Sequence, residues 1–129
     1  MSISRLLAVV AGISLVLLVN CHKAPILLSQ AIVRNASSQP ISNVQVQHEP
    51  TGGVGRVNRI LPEAELDLGF VRQPMKAKWA IVNWKISTGE TRQARVDLPR
   101  RTGATDGQTF SLIYTIDAGG SVSARLIPG

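Results

Sequence analysis

Hydrophobic residues fall into two regimes along the chain. From Leu6 to Val19 they form one run softened only by Gly12 and Ser14, whereas from Ile26 onward they come in short stretches separated by polar residues or turn formers. Alternation with period two sends successive side chains to opposite faces of a strand, so the second regime predicts β-structure. Ile26 to Asn35 is apolar on both faces, with Ile26, Leu28 and Ile32 on one and Leu27, Ala31 and Val33 on the other, as in a strand covered from two sides. Asn35 to Pro40 is a turn-forming cluster, after which Val44, Val46 and His48 alternate with Gln45 and Gln47, predicting a half-buried hairpin partner. Val57 to Leu61 forms a short strand before Pro62, and Leu66, Leu68 and Phe70 then alternate with Glu65, Asp67 and Gly69. Ala77 to Ser87 is the longest run of β formers and ends in the turn Ser87-Thr88-Gly89-Glu90, followed by Arg92 to Leu98. Phe110, Leu112, Tyr114 and Ile116 alternate next, and Asp117-Ala118-Gly119-Gly120 turns the chain into Val122, Ala124 and Leu126.

About seven or eight short strands with turns every 8 to 12 residues, and no helical period after the first run, predict an antiparallel β-sandwich, with a small barrel as the alternative. Trp84 shares its face with Val82 and Ile86 and is expected in the core. Trp79 lies on the opposite face with Ala77 and Ile81. It is either an exposed platform for a sugar or a protein partner, or a ring covered by a bulge, a loop or the edge of the core.

The first regime has a different reading. A singly basic start, Met1 to Arg5, precedes the apolar run, which ends at Leu18-Val19-Asn20-Cys21. This order is that of an export signal, and the cysteine at its end resembles the lipobox of bacterial lipoproteins. The resemblance implies a signal helix over 1–20 removed before Cys21, diacylglycerol on the Cys21 thiol, a further acyl chain on its amine, and a lipidated tether over 21–25. Asn20 departs from the small residue that the family carries there. An uncleaved anchor is the first rival, but 14 apolar residues rise only about 21 Å against a hydrocarbon core of about 30 Å. Simple secretion is the second, and no pair of small residues flanks a cut suitably. His22 follows the cysteine where the inner-membrane retention rule of enteric lipoproteins looks for Asp. In a Gram-negative envelope that implies the outer membrane, facing the periplasm.

The stretch Asn35-Ala36-Ser37, with Pro40-Ile41 and Val44-x-Val46 after it, resembles the opening of extracytoplasmic immunoglobulin-like sandwich domains, including the FxLYD-type families. The resemblance implies a hairpin whose turn is closed by the Asn and Ser side chains. Asn35-Ala36-Ser37 is also a glycosylation sequon, read here as turn chemistry.

Composition then narrows the chemistry. Cutting before Cys21 removes 20 of 129 residues and leaves 109, enough for one β-sandwich domain over 26–129. Cys21 is the only cysteine, so neither disulfides nor a thiolate zinc site is available. Histidines number two, His22 beside the lipid and His48 on the inward side of a strand. His48-Glu49 lacks helical zinc-hydrolase spacing, no Gly-x-Ser-x-Gly elbow occurs, and the glycine-rich Thr51 to Gly55 lacks the strand, helix and lysine of a phosphate cradle. No cofactor is expected. Loss of Arg5 turns 14 Lys and Arg into 13, against 8 Asp and Glu, a formal charge of about +5 that favours anionic neighbours. The basic set is Arg56, Arg59, Arg72, Lys76, Lys78, Arg92, Arg95, Arg100 and Arg101, with the last two on the loop from Pro99 to Gln108. An export signal excludes cytoplasmic nucleic acid. The expectation is a non-catalytic accessory of the cell envelope, bound to the membrane through acylated Cys21 and docking on an envelope protein or anionic polymer through Arg100, Arg101 and Trp79. The alternative is an envelope hydrolase in which His48 meets a serine or an acid.

Overall fold

The computed structural model describes residues 26–69, 73–99 and 108–129. The signal helix and tether expected over 1–25, with Cys21, and Arg72, Arg100 and Arg101 lie outside the described residues. Among those described there is no helix, and nine strands run in chain order: β1 Leu27–Ala36, β2 Ile41–Glu49, β3 Val54–Ile60, β4 Glu65–Asp67, β5 Gln73–Pro74, β6 Trp79–Lys85, β7 Thr91–Asp97, β8 Thr109–Asp117 and β9 Val122–Pro128. They make two sheets. One has the order β4-β1-β8-β9, with β5 also paired to β1, and the other has the order β3-β2-β6-β7. Both sheets feed one core, in which Leu28, Ala31, Val33, Leu112, Tyr114 and Ile116 of the first meet Val44, Val46, Ala80, Val82 and Trp84 of the second.

Three features depart from simple alternation and simple hairpins. First, β1 and β8 run parallel, from Leu27 opposite Thr109 to Ala36 opposite Asp117, so the first sheet is mixed rather than wholly antiparallel. Parallel neighbours cannot be joined by a short turn. Here the partners come from opposite ends of the domain. Second, β1 and β2 are not hairpin partners. The segment from Ser37 to Pro40 carries the chain from one sheet to the other, although Asn35 and Ser37 do close it as their types suggest. Asn35 is fully buried; its Nδ2 donates to the carbonyls of Gln39 at 2.8 Å and Ile60 at 3.1 Å, and its Oδ1 accepts from the Ser37 amide at 3.0 Å and hydroxyl at 2.6 Å. An amide nitrogen so engaged is turn chemistry and is closed to glycosylation in the folded chain. Third, the strand order differs from the immunoglobulin arrangement, in which the second and third strands lie in opposite sheets. Here β2 and β3 are antiparallel neighbours in one sheet, from Ile41 opposite Ile60 to Gln47 opposite Val54.

Two irregularities decide which residues face the core. The register of β1 against β8 shifts between Leu28 and Gln30, so Leu28, Ala31 and Val33 all become buried, where strict alternation divides them. In β2, Asn43 takes a positive φ of 48°, a conformation in which Asn is enriched among non-glycine residues. The register against β6 shifts there, and Ile41 joins Val44, Val46 and His48 on the inner face. Ser42 and Gln45 are thereby left facing outward.

Strand β6 follows the expected pattern, with Ala80, Val82 and Trp84 buried and Trp79, Ile81 and Asn83 half-buried. The turn after it places Gly89 at a φ of 89°, which a side chain would strain. At the opposite hairpin Asp117 Oδ1 accepts from the amides of Gly119 at 3.0 Å and Ser121 at 2.9 Å, bringing β9 back along β8.

Candidate functional site

Three places bring polar chemistry together. The first is inside. His48, only 3% exposed on the inner face of β2, shares a hydrogen bond between its Nε2 and the hydroxyl of Tyr114 on β8, a residue with no exposure at all. Burial lowers the imidazole pKa from its usual 6.5 and raises the phenol above its usual 10.0, so both groups are held neutral. A cavity of about 240 Å³ reaches His48 beside Thr51, Met75 and Lys76. Among the described residues that line it there is neither a serine nor a carboxylate, and nowhere among the described residues do three His, Cys, Asp or Glu side chains group as metal ligands.

The second place is the outer face of the β3-β2-β6-β7 sheet, where Trp79 sits half-buried opposite Glu49 and Asp97. The Arg95 guanidinium lies 4.3 Å from the centre of the Trp79 ring and 3.9 Å from an Asp97 oxygen. A cation over an indole is worth about 0.5 to 1 kcal/mol at an exposed site. One face of the ring is therefore already occupied from within the chain.

The third is at the end of the domain where β1 and β6 finish. An open groove of about 400 Å³ runs between Arg59, Ser42 and Lys85, bordered by Pro40, Ser87 and Gly89. A second hollow of about 170 Å³ adjoins it, sharing Pro40, Ile41, Ile86 and Ser87, with the edge of Trp84 on its wall and Arg92 and Asp117 at its rim. Arg92 is engaged by Glu90 at 3.5 Å. Arg59 and Lys85 are exposed, and among the described residues neither makes an ion pair.

Among the described residues the basic side chains do not form one patch. Arg56 and Arg59 share β3, Lys76 borders the His48 cavity, Arg92 caps the core edge and Arg95 covers Trp79. Lys85, outside the basic set expected from the sequence, is brought beside Arg59 by register alone. Ser42 is opposite Arg59 on one side and opposite Lys85 on the other. No local motif announces that alignment.

No family model matches the chain, and no curated protein matches it. Among solved structures, the NMR structure of a protein from Eubacterium rectale is similar over 83% of this chain and 92% of its own, at 15% identity and a TM-score of 0.47.

Proposed function

We propose that this chain is a non-catalytic binding module of the cell envelope, held at a membrane by lipid on Cys21 and docking on anionic envelope material. In this reading the two sheets are the layers of a β-sandwich that serves as scaffold, and the ligand meets exposed cations. The observation that supports it is the groove between Arg59 and Lys85, whose lining among the described residues holds two cations, hydroxyls and no carboxylate. The Leu18-Val19-Asn20-Cys21 motif supports the anchor. Acylation by two or three chains makes such an anchor stable.

The test is binding of the acylated protein to envelope extract across salt. Capture through exposed charges should weaken steeply as the screening length falls from about 10 Å at 0.1 M to about 3 Å at 1 M. Arg100 and Arg101, on the loop that the sequence predicts from Pro99 to Gln108, are expected to add to the capture, so reversing both to Glu should reduce it further while the melting temperature stays put, since surface substitutions rarely exceed about 0.5 kcal/mol. Mass spectrometry showing an intact Met1 or an unmodified Cys21 would remove the anchor. Turnover of an envelope polymer that disappears in a folded His48→Ala protein would replace the binding module with a hydrolase.

A further inference from the structure

We infer that the groove on β3, β2 and β6 is a phosphate-binding site for an anionic envelope polymer, with Arg59 and Lys85 as its two jaws and Ser42 between them. The inference rests on the binding-module reading and gives it a location and a ligand class. Residues directly opposite each other on adjacent strands point to the same side of a sheet. Arg59, Ser42 and Lys85 therefore stand in one row across β3, β2 and β6 on the outer face. Strands lie about 4.8 Å apart, which separates the two cation-bearing backbones by about 10 Å. Long flexible side chains converge easily over that distance. A guanidinium fork, an ammonium and the Ser42 hydroxyl can then all donate to one phosphate group.

Two further observations shape the ligand. Arg56 precedes Arg59 on β3 and, opposite Gln45, points to the same outer side. Its backbone is about 10 Å further along the strand. A second cation at that spacing suits a chain of repeating anionic groups better than one isolated ion. The acids of this face are remote or engaged: Glu49 and Asp97 lie opposite Trp79 at the far end of β6, and Glu90 holds Arg92. Cations on an edge strand also discourage sheets from pairing edge to edge, and that role would explain Arg56 and Arg59 on β3. It does not explain Lys85, because β6 lies inside its sheet between β2 and β7.

The distance of the groove from the anchored end selects the source of phosphate. β1 has ten residues running from Leu27, just after the tether, to Ala36, four positions before Pro40 at the border of the groove. At about 3.3 Å per residue it carries the groove about 30 Å from the anchored end, while the five-residue tether from Cys21 to Pro25 reaches at most about 18 Å. The ligand is thus a polymer beyond the anchoring membrane rather than a headgroup within it.

Long-chain inorganic polyphosphate is the probe, titrated against the full-length acylated protein in nanodiscs of neutral phosphatidylcholine. The expected result is salt-dependent binding that shifts the backbone amide signals of Ser42, Arg59 and Lys85. Reversal of both jaws, Arg59→Glu with Lys85→Glu, should weaken binding about tenfold or more. It should also flatten the plot of log affinity against log salt by about 1 to 2, as for the loss of two contacts to any polyelectrolyte. A control with the same net charge, Lys78→Glu with Arg125→Glu, should lose less than about threefold. Equal loss in the two double variants would overturn the site while leaving a generally cationic binding module. No binding by the wild type at low salt would overturn both. Shifts of the same three amides on adding anionic lipid to the discs, without polyphosphate, would assign the groove to the anchoring membrane and overturn the polymer. Should the reversed protein fail to melt cooperatively, Arg59→Gln with Lys85→Gln takes its place with the same expected order of affinities. If Cys21 is not acylated, the titration is run on the unanchored chain, so failure of the anchor and failure of the groove are read separately.

Discussion

The His48 imidazole and the Tyr114 phenol are buried together between the sheets, and burial moves each toward its neutral form. For His48 this has a measurable consequence. Its folded-state pKa lies below 6.5, so as the pH falls the unfolded chain takes up this proton before the folded one does. Its contribution to stability is complete above about pH 6.5 and is lost as the pH drops toward the folded-state value. His48→Gln should therefore remove part of the fall in melting temperature between about pH 7 and pH 5. Identical pH profiles for variant and wild type would show that His48 does not couple to folding. At Trp84, 2% exposed, the issue is size rather than charge. Trp84→Ala should cost about 3 to 5 kcal/mol, a large share of the about 5 to 15 kcal/mol that holds a domain together, and should leave the chain unfolded or nearly so. A variant melting within about a degree of the wild type would refute the ring's place in the core.

At the scale of the element, alternation locates strands well and partners poorly. The pattern of β6 reads directly from Ala80-Ile81-Val82-Asn83-Trp84, because an unbulged strand with one face in the core needs only period two. In β8 Leu112, Tyr114 and Ile116 are buried as their spacing predicts, but Ser111 and Ile113 between them are buried too, which alternation does not foretell. β1 and β2 each contain an extra residue, at the shift beside Ser29 and at Asn43, and a single insertion reverses the face of everything beyond it. Nothing in Leu28-Ser29-Gln30 marks that change. The Asn35–Pro40 turn was legible as chemistry, since buried Asn35 and Ser37 do close it, but a turn of this length serves equally to form a hairpin or to cross between layers. Pairing is fixed by the whole core. The same limit applies to the candidate groove: Arg59 is visible as a charge in the sequence, while its alignment with Lys85 exists only once β3, β2 and β6 are in register.

At the scale of the molecule, the sheets differ in how much of the chain each needs. The β3-β2-β6-β7 sheet draws on residues 41–97. The other sheet joins β1 to β8 across about 80 residues of intervening chain. Contacts so distant in sequence carry a large closure cost and form slowly. A chain ending at Leu98 lacks the parallel partner of β1 and the core residues Leu112, Tyr114 and Ile116, and should show no cooperative thermal transition by circular dichroism. A sharp transition in that truncated chain would mean that the second sheet folds alone. For the exported protein proposed here, this pairing has the effect of a built-in delay. The strand nearest the signal crosses first, and the strand it must lie beside is among the last to arrive, so the polypeptide stays threadable while any of β8 remains to be translocated.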